Sequence, residues 1–160
     1  MCTVIVAASL ASGSVAFAQT IDPEQVRLSI YESLRSVNLG VESLDCPSNI
    51  PLRKGNRFEC RLVLSGGKYV VVEVVQTDNE GTVDWQARGL ILKEKLEKDI
   101  QTQIESQVGT GFTVNCGEDK AIVALKGQSF TCVVTSTGGQ RRRLRVTPTN
   151  NFGNVYFSIE

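Results

Sequence analysis

The sequence predicts an α+β protein of two tandem repeats, each one α-helix packed on a three- to four-stranded antiparallel sheet with one internal disulfide. Three observations carry that expectation. The hexapeptide Gly-Asn-Arg-Phe-Glu-Cys at 55–60 recurs as Gly-Gln-Ser-Phe-Thr-Cys at 127–132, an offset of 72 residues. From Cys60 and Cys132 the two copies run on without a gap for 28 residues, through the turns Gly66-Gly67 and Gly138-Gly139 and the matched glycines Gly81 and Gly153. In each copy the apolar residues switch from a helical period to a period of two, the mark of a helix followed by half-buried strands. Self-similarity at a fixed offset means that one supersecondary unit was duplicated, which sets domain count and topology together.

The first 18 residues read as a cleaved signal peptide. Val4 to Leu10 is apolar and uncharged, and Ala16-Phe17-Ala18 supplies the small-x-small pattern ahead of a mature start at Gln19. The basic residues that ordinarily precede such a run are missing from Met1-Cys2-Thr3. A membrane anchor is the competing reading, but about 20 apolar residues are needed to span a bilayer, and Ser9, Ser12, Gly13 and Ser14 dilute this stretch.

Repeat 1 occupies 19–89. Its helix is expected over 22–39: Asp22 caps exposed N–H groups, Pro23 suits the first helical position, and Glu24 favours the positive end of the dipole. Val26, Ile30, Leu34 and Val37 then return at helical spacing. Strands follow at about 41–46, 57–65, 68–77 and 82–88, with Phe58, Cys60, Leu62 and Leu64 on the buried side of the second, Val70, Val72 and Val74 on that of the third, and Val83, Trp85 and Ala87 on the last. Repeat 2 occupies 90–160, with a helix over 90–108 carrying Leu96, Ile100, Ile104 and Val108, and strands at about 112–116, 129–136, 140–147 and 154–159. Its last strand matches the triplet with Val155, Phe157 and Ile159. The charges of Lys93 to Asp99 suit a solvated helix face. Only Gly89-Leu90-Ile91-Leu92 separates the repeats, so the two units should pack against each other.

Four cysteines follow the signal: Cys46, Cys60, Cys116 and Cys132. Four cysteines allow three pairings. A repeat that was self-sufficient before it was copied selects Cys46 with Cys60 and Cys116 with Cys132. Small exported domains with modest cores commonly recruit such staples. A four-cysteine zinc site fits poorly, because the close Cys-x-x-Cys pairs are missing and the chain has no His.

The chain carries 17 Lys/Arg and 17 Asp/Glu, which argues against a nucleic-acid partner. Without His the commonest general base is missing, and with the cysteines oxidised no nucleophile is poised. The expectation is therefore no enzyme, no metal and no cofactor; Glu42, Asp45, Glu118 and Asp119 read as turn and capping carboxylates.

The sheet face opposite the core is more informative. Strand register turns Tyr69, Val71, Glu73 and Val75 outward in repeat 1, and Arg141, Arg143, Arg145 and Thr147 at the matching positions of repeat 2. Three arginines at alternate positions, about 6.6 Å apart, form a comb suited to phosphate, sulfate or carboxylate groups. The plainer reading is an edge strand protected by charge. Arg142 falls on the core side and should snorkel at the sheet margin. Tyr69, Val71 and Val75 make an apolar patch that calls for cover, by the other repeat or by an external partner.

Cys46-Pro47, Gly55-x-x-Phe58-x-Cys60, the Gly-Gly hairpin, the valine-rich strand and Gly81-Thr-Val-Asp-Trp85 together resemble a small secreted bacterial domain of unknown function, found behind a signal peptide or lipid anchor in actinobacterial and cyanobacterial proteins. The second repeat is similar, with Gly117 where the pattern has proline. The resemblance implies a stapled fold and supplies no catalytic residues. In outline the tandem is also similar to the secreted β-lactamase inhibitory proteins, a likeness of fold alone. These readings converge on an exported, secreted or periplasmic, non-enzymatic binding protein whose partner is a protein or an anionic envelope glycan. An inhibitor of a secreted or periplasmic enzyme and a structural envelope protein are the alternatives.

Overall fold

The computed structural model describes residues 19–160; the signal peptide expected over 1–18 lies outside them. Helix α1 (Pro23–Ser36) starts as the sequence dictates. The Asp22 carboxylate accepts the Glu24 N–H at 2.9 Å, with Pro23 at the first helical position. Val26, Ile30 and Leu34 are buried beneath it.

The helix ends at Ser36, three residues short of the expected 39. Asn38 adopts φ 55, a left-handed conformation that asparagine tolerates. Its N–H bonds the Arg35 carbonyl, and the Leu39 N–H bonds that of Leu34, the reciprocal pattern that closes a helix C-terminus. This turn drops Leu39 into the core at 7% exposure and leaves Val37 outside at 45%. Val37 keeps the helical spacing of the stripe but sits beyond the last turn.

The chain then builds β1 (Val41–Asp45), β2 (Arg57–Leu64), β3 (Tyr69–Gln76) and β4 (Val83–Arg88), an antiparallel meander in that order. Phe58, Cys60, Leu62 and Leu64 on β2 and Val70, Val72 and Val74 on β3 form the core with α1. Gln76 is the buried polar exception. Its side-chain amide donates to the Pro51 carbonyl at 3.0 Å and accepts the Arg53 N–H at 2.9 Å, which fastens the loop between β1 and β2 to the sheet.

Repeat 2 departs from expectation at its start. Residues 90–92 are not helical: they form β5 (Leu90–Leu92), and α2 (Lys93–Val108) follows. Strand β6 (Phe112–Asn115) is as anticipated, but β7 (Ala121–Val123) has no sequence signal and pairs antiparallel with β5. Strands β8 (Phe130–Ser136), β9 (Arg141–Pro148) and β10 (Val155–Ile159) complete a second sheet ordered β10-β9-β8-β6. Leu96, Ile100 and Ile104 of α2 are buried, whereas Val108 at its last position is 68% exposed. Ile159 has the inward phase of β10 yet is 62% exposed.

The β5–β7 pairing has a rudimentary counterpart in repeat 1. Thr20 bridges Pro51, with the Ile21 N–H on the Ile50 carbonyl and the Leu52 N–H on that of Gln19. Each repeat thus begins with an extended segment ahead of its helix, laid against the segment that follows its first cysteine.

Both staples close as the duplication requires, Cys46 to Cys60 and Cys116 to Cys132. Each ties the end of the first strand of its sheet to the second and is worth roughly 3 kcal/mol through restriction of the unfolded chain.

The repeats pack together through the β5–β7 layer. Ala121 is buried within the core of repeat 1, and Leu90, Leu92 and Val123 pack against it. Lys68 reaches across to Asp119 at 2.7 Å and to the Ala121 carbonyl at 2.9 Å, and Lys120 donates to the Asn38 carbonyl. The Lys68 ammonium beside it holds the Asp119 carboxyl below its ordinary value. At the junction the Gly89 N–H bonds the Asn151 carbonyl at 2.7 Å and the Ala124 N–H bonds the Gly89 carbonyl at 2.9 Å.

Candidate functional site: the outer faces of the two sheets

The helices cover one face of each sheet and leave the other open. On the outer face of repeat 1, cross-strand register sets Arg57 beside Val75, Glu59 beside Glu73, Arg61 beside Val71, and Val63 beside Tyr69. Strand β4 adds Asp84, Gln86 and Arg88 along the far side. Arg88 is the hub: its guanidinium bonds Glu73 through two nitrogens and Glu59 at 2.8 Å. The hydrogen bonds from Glu73 and then Glu59 raise the Arg88 pKa further above its already high value, so the guanidinium stays charged throughout the accessible range. Glu59 and Glu73 face each other on adjacent strands, a repulsive arrangement that the shared arginine offsets.

Tyr69 is 51% exposed, with the Arg61 guanidinium over its ring at 4.8 Å, within cation–π range. Val71 and Val75 are half-buried. The contacts between the repeats are made by the β5–β7 layer, Lys68, Lys120 and Gly89, on the other side and at the edge of this sheet. Of the patch, Tyr69 carries the Arg61 guanidinium and stays open.

Repeat 2 presents the same geometry with different chemistry. Strand β9 lies between β8 and β10, and β10 pairs it from Pro148 back to Leu144, with the Glu160 N–H on the Arg143 carbonyl. Arg145 and Arg143 therefore stand where β9 has a neighbour on both sides, and the edge-strand reading is left to Arg141. Arg141 faces Thr135, Arg143 faces Val133, and Arg145 lies between Thr131 and Ser158. At the end of the row Thr147 faces Tyr156, which is 63% exposed, and bonds Ser129 hydroxyl to hydroxyl at 2.7 Å. Arg142 points to the other face, opposite Val134, and is exposed at the sheet margin.

Arg145 alone among the comb is paired: its Nε lies 2.6 Å and its terminal nitrogen 2.5 Å from Glu160. Arg141 and Arg143 have no carboxylate partner among the described residues. With an offset of 72, Glu160 corresponds to Arg88 and Arg145 to Glu73. The same ion pair is retained with its charges exchanged.

Two of the four carboxylates singled out from sequence have structural partners. Glu42 accepts the Gly66 N–H at the β2–β3 hairpin, and Asp119 serves the inter-repeat joint. Asp45 lies at the end of β1 and Glu118 in the loop after Cys116; no group of three His, Cys, Asp or Glu residues converges among the described residues. Glu97 accepts the Cys116 N–H at 2.7 Å, which anchors α2 to the second staple.

A cleft in repeat 2 has no signal in the sequence. Between α2 and β10 lies an open cleft of about 640 Å³, floored by Leu96, Ile100 and Phe157 and rimmed by Lys95, Asp99 and Phe152. Substitution between the copies explains it. In repeat 1 a Cβ on Gly81 would meet Leu52 at 3.4 Å and Ile21 at 4.0 Å, whereas a Cβ on Gly153 would meet nothing within 4 Å. Leu52 has become Ala124 and Trp85 has become Phe157, so repeat 2 fills this corner less.

The model of a family described as a domain of unknown function, DUF4333, matches residues 4–81 and again 84–153. The chain belongs to that family. The two matches make it a tandem copy of the domain, in agreement with the duplicated fold and the two staples. No curated protein and no solved structure matches the chain. Among the described residues no helix is long and apolar enough to cross a membrane.

Proposed function

We propose that the protein is an exported, non-enzymatic binding module that recognises its ligand through the outer sheet faces. Export is supported by the two closed disulfides, which persist in oxidising compartments, and by the small-x-small boundary at Ala18. The observation that carries the binding reading is the divergence of one face between copies whose cores match. In repeat 1 Arg88 gathers Glu59 and Glu73, and the Arg57 and Arg61 cations of that face are matched in number by its carboxylates once Asp84 is included. In repeat 2 strand β9 holds Arg141 and Arg143, beside Thr135 and Val133, without a carboxylate partner among the described residues. Charge that does nothing for its own sheet is available to a partner, and guanidinium groups suit oxyanions.

The test replaces Arg141, Arg143 and Arg145 together with Ser and compares retention of cell-envelope material by the variant and the native chain. Exposed positions on a sheet tolerate this change, so circular dichroism should be unaltered while retention falls at least about tenfold. Equal retention by the two would remove the arginine face from the function. A tight one-to-one complex with a secreted hydrolase that survives the triple change would instead identify an enzyme inhibitor acting through another surface.

A further inference from the structure

We infer that the outer face of repeat 2 binds an acidic polysaccharide laid along β9, with its anionic groups on Arg141 and Arg143 and a sugar ring against Tyr156. The inference rests on the binding reading above and specifies the ligand. Three features of the face select this chemistry.

The first is the arrangement of charge. Arg141, Arg143 and Arg145 alternate on one strand at about 6.6 Å intervals, so the positive groups form a line and not a cluster. A line matches an extended polymer with repeated anionic groups better than a single phosphate or a compact acidic site. From Arg141 to Thr147 the row is about 20 Å long at about 3.4 Å per residue, room for several sugar units.

The second is what surrounds the charge. Thr135 lies beside Arg141 with Thr113 one strand further on, Thr131 and Ser158 flank Arg145, and Ser129 lies beside Thr147. Hydroxyls both donate and accept, which matches the hydroxyls of a sugar. Val133 is the sole aliphatic side chain on the described face. The apolar content of the described face is thus Val133 and the ring of Tyr156, little for the apolar core of a protein interface.

The third is Tyr156. It projects from β10 at the end of the row, 63% exposed, while its neighbours Val155 and Phe157 turn inward to pack on the core. A rigid ring with a polar tip, standing open on a sheet face, offers a flat apolar surface for the C–H side of a pyranose beside hydrogen-bonding groups.

Glu160 gives the site an internal competitor. It holds Arg145, so in the free protein two arginines are available and the third is neutralised. Removing that carboxylate should therefore tighten binding.

The experiment uses the native chain with dextran sulfate, neutral dextran and poly-glutamate as probes, followed by calorimetry over a range of salt. Dextran sulfate should bind and neutral dextran should not. The logarithm of the binding constant should fall with the logarithm of salt with a slope of about −2, one counterion equivalent for each unpaired arginine. R141S and R143S should each weaken binding about tenfold, Y156A several-fold, and E160Q should strengthen it several-fold. Poly-glutamate bound as tightly as dextran sulfate, with Y156A unchanged in both, overturns the polysaccharide and points to an acidic protein surface. Arginine-dependent retention of envelope material without any binding of dextran sulfate overturns the inference and leaves the binding reading standing. Loss of arginine dependence in both assays overturns both.

Discussion

In repeat 1 the last strand lends a guanidinium to two carboxylates on the middle strands; in repeat 2 the last strand lends a carboxylate to a guanidinium. Arg88 with Glu73 and Glu160 with Arg145 are the same diagonal pair with opposite polarity. The geometry of the sheet is indifferent to which partner carries which sign, so the pair could be inverted without disturbing the fold. What changed is the remainder of the face. Repeat 1 adds Glu59 to the pair, whereas in repeat 2 the matching position is Thr131, and the alternate residues before Arg145 on its own strand are arginines. One face balances itself, and the other retains an excess of positive charge directed outward.

The strongest test of this equivalence is the pair of staples. Replacing Cys46 and Cys60 with Ser, or Cys116 and Cys132 with Ser, should destabilise by roughly 3 kcal/mol in either case, because the sequence separations of 14 and 16 are nearly equal. Urea titrations should give matching shifts. Because Ala121 is buried in the core of repeat 1, each variant should still unfold in a single transition; two separated transitions would show that the repeats are independent.

A smaller effect addresses the inverted pair directly. Arg88→Glu and Glu73→Arg should each destabilise by about 1 kcal/mol or less, since both side chains are 32% exposed and solvent screens them. The double variant copies the polarity of repeat 2 and should recover part of the loss, because the cation introduced at position 73 then lies directly opposite Glu59 as well as near the new carboxylate. A double-mutant cycle measures the coupling; zero coupling would mean that the retained pair has no energetic basis.

The smallest effect separates the two turns before the last strands. Asp78 accepts the backbone N–H groups of Glu80, Gly81 and Thr82, and Asn150 accepts those of Phe152 and Asn154 at the matching position. Hydrogen bonds from the side chain and backbone of Thr82, followed by those of Glu80 and Gly81, hold the Asp78 carboxyl below its ordinary 3.8. A depressed carboxyl stabilises the fold above about pH 3.8 and ceases to do so as pH falls through the lower folded value. Asp78→Asn should therefore flatten the acid limb of the stability profile slightly, while Asn150 confers no such dependence. An unaltered limb would assign acid sensitivity to other carboxylates.

Much of this architecture is legible because duplication displays which positions are constrained. Cys46, Cys60, Cys116 and Cys132, the Gly-Gly hairpins and the alternation of β2, β3, β8 and β9 follow from spacing alone. The errors cluster where periodicity is silent. Leu90 to Leu92 is too short to show a period of two and abuts a helix, so β5 merges into α2 in a sequence reading. Ala121 to Val123 reads as strand only once β5 is there to pair with it. Val37 and Val108 keep the spacing of their stripes but sit at the helix ends, just before Asn38 and Gly109 turn the chain, and stay exposed. Ile159 has the right phase but stays open to solvent at the end of its strand. The Glu160–Arg145 contact is accessible in principle, by applying the 72-residue offset to charged positions as well as to the core.

Gly89 sits between the halves at φ 77, and a Cβ there would meet Leu125 at 2.9 Å and the Ala124 carbonyl oxygen at 3.2 Å. With its N–H and carbonyl both engaged, this residue acts as a weld and not as a swivel. The mutual angle of the two repeats is thus held by backbone hydrogen bonds as well as by side-chain packing, so a side chain introduced at this one position should disturb both halves together.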